Sequence, residues 1–265
     1  MAHLLPHHLQ SGALAAEGDG RRNAAALLGQ HAGDPAHPGH GLRFRPQAPG
    51  HGGAGAGSGA GKIAARPAAP VTPVADAVSA LKEEIAHCRR CPLHCAATQA
   101  VPGEGPADAA IMLVGEQPGD AEDLAGRPFV GPAGQLLDRA LAEAGLDRDR
   151  LYLTNAVKHF KYEPRGKRRI HQKPNAGEVQ SCKWWLNREI ALVRPRLIVA
   201  LGATAAGALS GRAVSVTKER GPMSFGEAQG FVTVHPSFLL RLPDESARER
   251  EYRNFVSDLG RVRKE

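Results

Sequence analysis

The segment Arg196–Leu209, RLIVALGATAAGAL, decides the fold class of this 265-residue chain. Its short apolar run predicts a buried strand, which ends at the glycine that follows. The alanine-rich remainder predicts a helix that begins at once. A strand that leads directly into a helix is typical of an α/β protein with a mainly parallel sheet.

The same alternation of strands and helices extends on both sides of this segment. Three more apolar runs predict strands: IMLVGE from Ile111, LYLTNAV from Leu151 and FVTVHPS from Phe231. Helices are predicted in DAVSALKEEIAHC from Asp76, in GPAGQLLDRALAEAG from Gly131, around Cys182, and from about Ser246 to Val262. We therefore expect an α/β three-layer sandwich around a central, mainly parallel four-stranded sheet.

Residues 1–74 differ in composition from the rest of the chain. They are rich in Gly, Ala, Pro and His and have few large apolar residues, so we expect a disordered low-complexity tail before one folded domain at residues 75–265. No apolar run is long enough to span a bilayer and no secretory signal begins the chain, which favours a cytoplasmic protein without a membrane partner. We expect a monomer, and the net charge of +7 favours a polyanionic partner such as nucleic acid.

Polar segments follow three of the predicted strands. They are GEQPGD after the first, NAVKH at the end of the second and HPS after the fourth, at Gly115–Asp120, Asn155–His159 and His235–Ser237. Because ligands bind outside the carboxyl ends of the strands in open α/β sheets, we expect these segments to line one cleft. Taken alone, GEQPGD could be an ordinary turn.

Individual side chains in and near these segments suit binding and catalysis. Glu116, Gln117 and Asp120 would be presented together by the tight turn of GEQPGD. Phe129, just before a predicted helix, could stack on a flat base or fill the core. His235 could donate a hydrogen bond to an anionic oxygen.

Two further segments suit contacts with DNA. The loop Lys158–Pro174, KHFKYEPRGKRRIHQKP, crowds basic side chains such as Lys167, Arg168 and Arg169 between aromatic ones. Such a segment is typical of phosphate binding, although a solvated charge run would have the same composition. The apolar residues Phe238–Leu240 could wedge into a base stack or begin a buried helix.

The chain has four cysteines, Cys88, Cys91, Cys95 and Cys182. The C-x2-C spacing of Cys88 and Cys91 is a common way to hold two corners of a metal or cluster site, and Cys182 would supply a third. The fourth ligand is either Cys95 or His159. Spacing alone does not separate zinc from an iron–sulfur cluster, and unligated thiols are the remaining alternative.

Together these segments resemble the uracil-DNA glycosylase superfamily, specifically its iron–sulfur family 4 branch. The matching segments are CRRCPL from Cys88, GEQPGDAEDLAGRPFVGPAGQLLD from Gly115, YLTNAVK from Tyr152, the helix with Cys182, LIVALGATA from Leu197 and HPS from His235. The resemblance extends from about Ile85 to Phe255. The chain departs from the ordinary family 4 pattern where it reads NAVKHFK and where it inserts KRRIH, Lys167–His171, and both features are similar to the UdgX-type subgroup.

The resemblance implies recognition of uracil in DNA and cleavage of its N-glycosidic bond by a protein that contains a 4Fe–4S cluster. The cluster ligands it implies are Cys88, Cys91, His159 and Cys182. The uracil-binding residues it implies are Gln117, Phe129 and Asn155, the catalytic residues Glu116, Asp120, His171 and His235, and the DNA-contacting residues Lys167, Arg168, Arg169 and Arg241. In the UdgX type the histidine of KRRIH becomes covalently attached to uracil-containing DNA, and His171 stands at that position.

Three alternatives remain open at this point. The first is a turnover family 4 uracil-DNA glycosylase of base excision repair, in which His171 only lines the cleft. The second is a non-catalytic module that binds uracil-containing DNA. The third is a zinc-containing nucleic-acid adaptor with no relation to uracil.

Overall fold

The structure is a computed structural model that describes residues 73–264. These residues form seven strands: β1 (Ile111–Gly115), β2 (Leu151–Asn155), β3 (Tyr162–Arg165), β4 (Arg168–His171), β5 (Leu197–Leu201), β6 (Gly221–Phe225) and β7 (Ala228–Thr233). They also form eight α-helices: α1 (Val74–Ala86), α2 (Asp120–Ala125), α3 (Pro132–Glu143), α4 (Ala176–Val193), α5 (Ala203–Ser210), α6 (Val216–Glu219), α7 (Pro236–Leu240) and α8 (Glu245–Val262). The predicted tail, up to residue 72, lies outside the described residues, and the domain boundary near residue 74 stays a prediction.

A five-stranded sheet in the order β2–β1–β5–β7–β6 forms the middle layer. β2, β1, β5 and β7 run parallel, with Ile111 paired to Leu151 on one side and to Leu197 on the other. These are the four predicted strands, and their parallel arrangement is confirmed. The predicted number of strands is wrong by one, because β6 pairs antiparallel with β7 at the edge. Its segment GPMSF contains Pro222, which an edge strand tolerates but which argues against a strand in the sequence.

Helices cover both faces of the sheet because side chains alternate between the faces along each strand. On one face, Leu113 packs with Leu137 of α3 and Phe255 of α8. On the other face, its neighbour Met112 packs in a cluster with Leu186 of α4. Full burial of each such side chain stabilises the fold by about 1.5–3 kcal/mol. The predicted three-layer sandwich is confirmed, and no helix within residues 73–264 combines the length and apolar composition needed to cross a membrane.

The predicted loop at residues 158–174 contains a β-hairpin, which corrects the interpretation from sequence. β3 and β4 pair antiparallel, with Tyr162 opposite His171 and Arg165 opposite Arg168. Gly166 begins the two-residue turn with φ 57°, a conformation that glycine adopts without strain. The pairing fixes His171 at the open end of the hairpin, away from the exposed turn.

Candidate active site

A cleft of about 1180 Å³ opens at the carboxyl ends of the parallel strands. All catalytic and uracil-binding residues predicted from the sequence line it: Glu116, Gln117, Asp120, Phe129, Asn155, His171 and His235. Arg241 also lines the cleft, whereas Lys167, Arg168 and Arg169 do not. The expectation that the polar segments after β1, β2 and β7 share one cleft therefore agrees with the geometry.

Two buried side chains that line the cleft, Phe129 and Asn155, both lie close to Gly115 of β1. Asn155 is 3% exposed and Phe129 is 5% exposed. A Cβ on Gly115 would lie 2.4 Å from Asn155 Oδ1 and 2.7 Å from Phe129 Cζ, so glycine is what lets both side chains approach β1. Phe129 has φ 56°, which is uncommon for a residue with a side chain and is a form of strain found at binding sites. A flat aromatic wall beside a buried amide suits a planar ring with polar edges.

His171 and Glu116 form a pair at the cleft wall. His171 Nε2 lies 3.4 Å from Glu116 Oε1, and the hydroxyl of Thr204 donates to the other oxygen, Oε2. Burial lowers the pKa of His171 below 6.5, and the neighbouring Glu116 opposes this shift without cancelling it. The imidazole is therefore neutral near pH 7 and retains a lone pair. The sequence interpretation did not single out Thr204, although its place directly after β5 puts it at the same edge of the sheet.

Gln117 ties the hairpin to the segment after β1. Its side-chain nitrogen donates to the carbonyl oxygens of Lys161 and Gln172 at 3.1 and 3.0 Å, and its oxygen accepts the Lys161 N–H at 3.2 Å. The side chain is buried, so the hairpin uses both amide protons. The sequence interpretation expected Gln117 to bind uracil. In this structure its side chain holds the hairpin that carries His171, and no donor of the amide is left for a base.

Arg169 fastens the hairpin to α2. Its guanidinium forms ion pairs with Asp120 and Asp123, and its side chain is only 20% exposed. The sequence interpretation assigned a DNA contact to Arg169 and a catalytic role to Asp120, but here the two side chains bind each other. Lys167 and Arg168, at the tip of the hairpin, are exposed. A run of basic residues in a sequence does not reveal which of them is neutralised by a carboxylate.

His235 precedes α7 and faces the cleft. The backbone N–H of Ser237 donates to His235 Nδ1 at 3.1 Å, and Ser237 Oγ lies 2.8 Å from the same nitrogen. Because a backbone N–H can only donate, Nδ1 carries the lone pair and the neutral ring carries its proton on Nε2. Burial, reinforced by the positive charge of Arg241 and by that of His171 when its ring is protonated, lowers the pKa of His235 to about 4. His235 is therefore a neutral hydrogen-bond donor at physiological pH.

The apolar residues Phe238–Leu240 were expected either to wedge into a base stack or to begin a buried helix, and the structure shows features of both. They lie in α7, where Leu239 is buried in the core. Phe238 and Leu240 are 38% and 45% exposed and line the cleft. The helix is thus anchored by one side chain and presents two others to whatever enters the cleft.

Three cysteines lie in one buried cluster together with α1 and α4. Cys88, Cys91 and Cys182 pack there with Trp185. The indole N–H of Trp185 donates to Cys88 Sγ at 3.0 Å, and the backbone N–H of Lys158 donates to Cys182 Sγ at 3.1 Å. Burial raises the pKa of the Cys182 thiol to about 11. Such a thiol ionises only when a cation compensates the charge, which is what a metal site provides.

His159 and Cys95, the two candidates for a fourth ligand, differ in their surroundings. His159 is 3% exposed, and its Nδ1 has no hydrogen-bond partner among residues 73–264. It lines a cavity of about 460 Å³ together with Cys88 and His94. Cys95 is exposed, with its Sγ 3.5 Å from His94 Nε2. A buried nitrogen without a partner is costly, so the surroundings of His159 fit a ligand better than those of Cys95.

Comparisons with known proteins match the part of the chain that contains the cleft to a known family. Residues 102–260 match the model of the uracil DNA glycosylase superfamily. A type-4 uracil-DNA glycosylase of Thermotoga maritima is 43% identical over 164 residues, which are 61% of this chain and 82% of the relative. A type-4 uracil-DNA glycosylase of Pyrobaculum aerophilum is 41% identical over 172 residues, 62% and 84% of the two chains. A type-5 uracil-DNA glycosylase of the same organism is 32% identical over 155 residues, 52% and 65%.

Proposed function

We propose that this chain, which belongs to the uracil DNA glycosylase superfamily, excises uracil from DNA. It then becomes covalently attached to the abasic sugar through His171. The names of the type-4 relatives support the excision step. The observation that carries the covalent step is the neutral imidazole of His171, held 3.4 Å from the carboxylate of Glu116 at the wall of the cleft. This is the behaviour that the resemblance to the UdgX type implies.

Recognition begins with extrusion of the uracil nucleotide from the base stack, because a stacked base cannot enter a cleft. Phe129 then stacks on the ring, and the side-chain amide of Asn155 pairs with its polar edge. The exposed Lys167 and Arg168 at the hairpin tip, together with Arg241 at the cleft, contact the phosphates.

Cleavage of the N-glycosidic bond sends its electron pair to the uracil ring and leaves positive charge on the deoxyribose. The Nε2–H of His235 donates to the carbonyl oxygen of the departing anion, which is the task of a neutral donor. The carboxylate of Glu116 stabilises the positive charge of the sugar. Asp120 contributes less to this, because Arg169 already balances its charge.

The covalent step follows at the sugar. One ring nitrogen of His171 bonds to C1′ through its lone pair, while Glu116 accepts the proton from the other nitrogen. The proton passes by way of solvent from Glu116 to the uracil anion, so the products are free uracil and a neutral imidazole bonded to deoxyribose. Because this bond consumes His171, each protein molecule acts once.

The anchoring of the hairpin supports this role against that of a solvated side chain. Gln117 binds the backbone of Lys161 and Gln172, just outside the two strands at the open end of the hairpin next to His171, and Arg169 binds the carboxylates of α2. A nucleophile must be held at the reacting atom before it can compete with water. Two independent attachments beside one histidine meet this requirement.

We also propose that Cys88, Cys91, His159 and Cys182 hold a 4Fe–4S cluster. Among residues 73–264, no three His, Cys, Asp or Glu side chains are arranged to hold a single metal ion. A four-iron cluster has a different requirement, since each protein ligand binds a different iron atom. Three buried thiols and the unpartnered Nδ1 of His159 fit that requirement. Through these residues a bound cluster would join the segment after α1, helix α4 and the segment that leads into the hairpin.

A turnover glycosylase is the second candidate, and the names of the relatives favour it. In that case water attacks the sugar and His171 only lines the cleft. Uracil recognition, leaving-group stabilisation by His235 and the cluster are common to both candidates, so they do not distinguish them.

A denaturing gel separates the candidates. Purified protein is incubated with an end-labelled oligonucleotide that contains one uracil, and a matched thymine oligonucleotide serves as the control. We expect a band that survives boiling in detergent, at no more than one DNA per protein and with uracil only. Free abasic product in excess of the protein, without a shifted band, would instead establish the turnover glycosylase. If neither a shifted band nor abasic product forms, the protein is a non-catalytic binding module.

A further inference from the structure

We infer that Thr204 is a positioning residue that directs His171 to the sugar through Glu116; this inference rests on the proposed function. The two oxygens of the Glu116 carboxylate have different partners. Oε2 accepts the hydroxyl proton of Thr204, and Oε1 faces His171 Nε2 at 3.4 Å. The three side chains therefore form a chain in which the hydroxyl sets the rotation of the carboxylate, and the carboxylate sets that of the imidazole.

The backbone explains why Thr204 can do this. It is the second residue of α5, which starts directly after β5 at the carboxyl edge of the sheet. Gly202, between the two elements, has φ 94°, and a Cβ there would lie 3.2 Å from His235 Cβ. The turn is thus fixed by close packing, and it presents the Thr204 hydroxyl to the cleft from a rigid helix end.

Glu116 needs such a partner because its own surroundings leave it free to turn. Its side chain is 23% exposed, so water can replace a broken hydrogen bond and the carboxylate can rotate away from the imidazole. His171 is 49% exposed and has Glu116 as its only carboxylate partner among the described residues. With the carboxylate rotated away, the imidazole loses its proton acceptor and its orientation, and water competes for the sugar.

Thr204 therefore controls the ratio of adduct to free abasic DNA. Capture by His171 gives adduct, and capture by water gives free abasic DNA. The ratio of the two products reports the positioning of His171 whichever step limits the overall rate. Removal of one charge-assisted hydrogen bond is expected to lower this ratio by about tenfold.

The test is a single-turnover reaction of the full-length protein with uracil-containing oligonucleotide, in which adduct and alkali-cleaved abasic DNA are measured together. Thr204→Val removes the hydroxyl and keeps the shape, and we expect free abasic DNA to appear at the expense of adduct. Thr204→Ser retains the hydroxyl and should restore most of the wild-type ratio. Thr217→Val is the matched control, because Thr217 lines the same cleft but its hydroxyl contacts Ser215.

The outcomes separate a failure of the inference about Thr204 from a failure of the proposed function. If wild type forms adduct and Thr204→Val gives the same product ratio, the inference about Thr204 is wrong and the proposed function stands. If Thr204→Ser lowers the ratio as much as Thr204→Val does, side-chain shape matters rather than the hydroxyl, and the inference is again wrong. If wild type releases abasic DNA repeatedly without adduct, the proposed covalent function fails and the inference fails with it. Equal urea midpoints and equal iron content show that the variants are folded.

Discussion

Replacing Lys158 by methionine removes the most deeply buried cation among residues 73–264. Lys158 is fully buried, and its backbone N–H donates to Cys182 Sγ of the cysteine cluster. Its Nζ donates to Glu189 Oε2 at 2.6 Å, to Thr154 Oγ1 at 2.7 Å and to the carbonyl oxygen of Asn155 at 2.8 Å. The carboxylate of Glu189 is also fully buried. The pair therefore secures the end of β2, where Asn155 faces the cleft.

The magnitude follows from what the substitution leaves behind. Methionine fills the volume, but Glu189 loses its cation and is left with the Gly103 N–H and the Thr154 hydroxyl, each at 2.8 Å, and the side chain of Tyr152 as partners. Removing one partner of a buried ion pair costs about 3–5 kcal/mol. Folded domains are stable by about 5–15 kcal/mol in total. For a domain of this size, a destabilisation of about 3–5 kcal/mol lowers Tm by about 6–20 °C.

Urea denaturation followed by circular dichroism measures this destabilisation, with iron content matched between samples. Arg253→Met is the control, because Arg253 pairs with Glu249 on an exposed face of α8, where both side chains are more than half exposed. We expect that control to change the free energy of unfolding by at most about 1 kcal/mol. Lys158→Met combined with Glu189→Leu should be less destabilised than Lys158→Met alone, since no unpaired charge remains. A cost below about 1 kcal/mol for Lys158→Met would contradict this prediction, because it would mean that water already reaches the pair.

Three further predictions concern the site. Because burial lowers the pKa of His171 below 6.5, the neutral nucleophile prevails above that pKa, so the rate of adduct formation should be flat from pH 7 to 8 and fall only as the pH decreases through the lowered pKa; a rate that rises with acidity would contradict the neutral nucleophile. Cys95→Ser should retain iron and brown colour, whereas His159→Ala should lose them, as measured by a colorimetric iron assay. The opposite result would show that Cys95, and not His159, is the fourth ligand. Replacing Arg165 and Arg168 by glutamine should reduce the slope of log K against log salt for DNA binding by about 0.9 for each phosphate that the variant no longer neutralises, and an unchanged slope would place the DNA elsewhere.

The parallel part of the fold could be predicted because its strands are buried on both faces. β1, β2, β5 and β7 appear in the sequence as short apolar runs followed by glycine or polar residues. β6 could not be predicted, because an edge strand needs no such run and this one contains Pro222. The hairpin β3–β4 was missed for a different reason. Its strands are mostly polar and charged, and contacts from Gln117 and the carboxylates of α2 hold it in place.

The location of the candidate site could also be predicted, but the partners of its side chains could not. The rule for carboxyl ends of parallel strands led to Glu116, Asn155 and His235, which line one cleft. The hydrogen bond between Thr204 and Glu116 joins residues 88 positions apart, and no local pattern reveals such a pair. The ion pairs of Arg169 could not be predicted either, because nothing in the sequence distinguishes Arg169 from its exposed neighbour Arg168.

Mapping the modified residue tests whether His171 ends the reaction bonded to deoxyribose. Wild-type protein is reacted with uracil-containing oligonucleotide, digested with nuclease and trypsin, and sequenced by tandem mass spectrometry. We predict that the tryptic peptide that begins at Ile170 carries the mass of the abasic deoxyribose phosphate on the imidazole of His171. A sugar attached to any other residue, or an unmodified peptide recovered beside free abasic DNA, would contradict the claim.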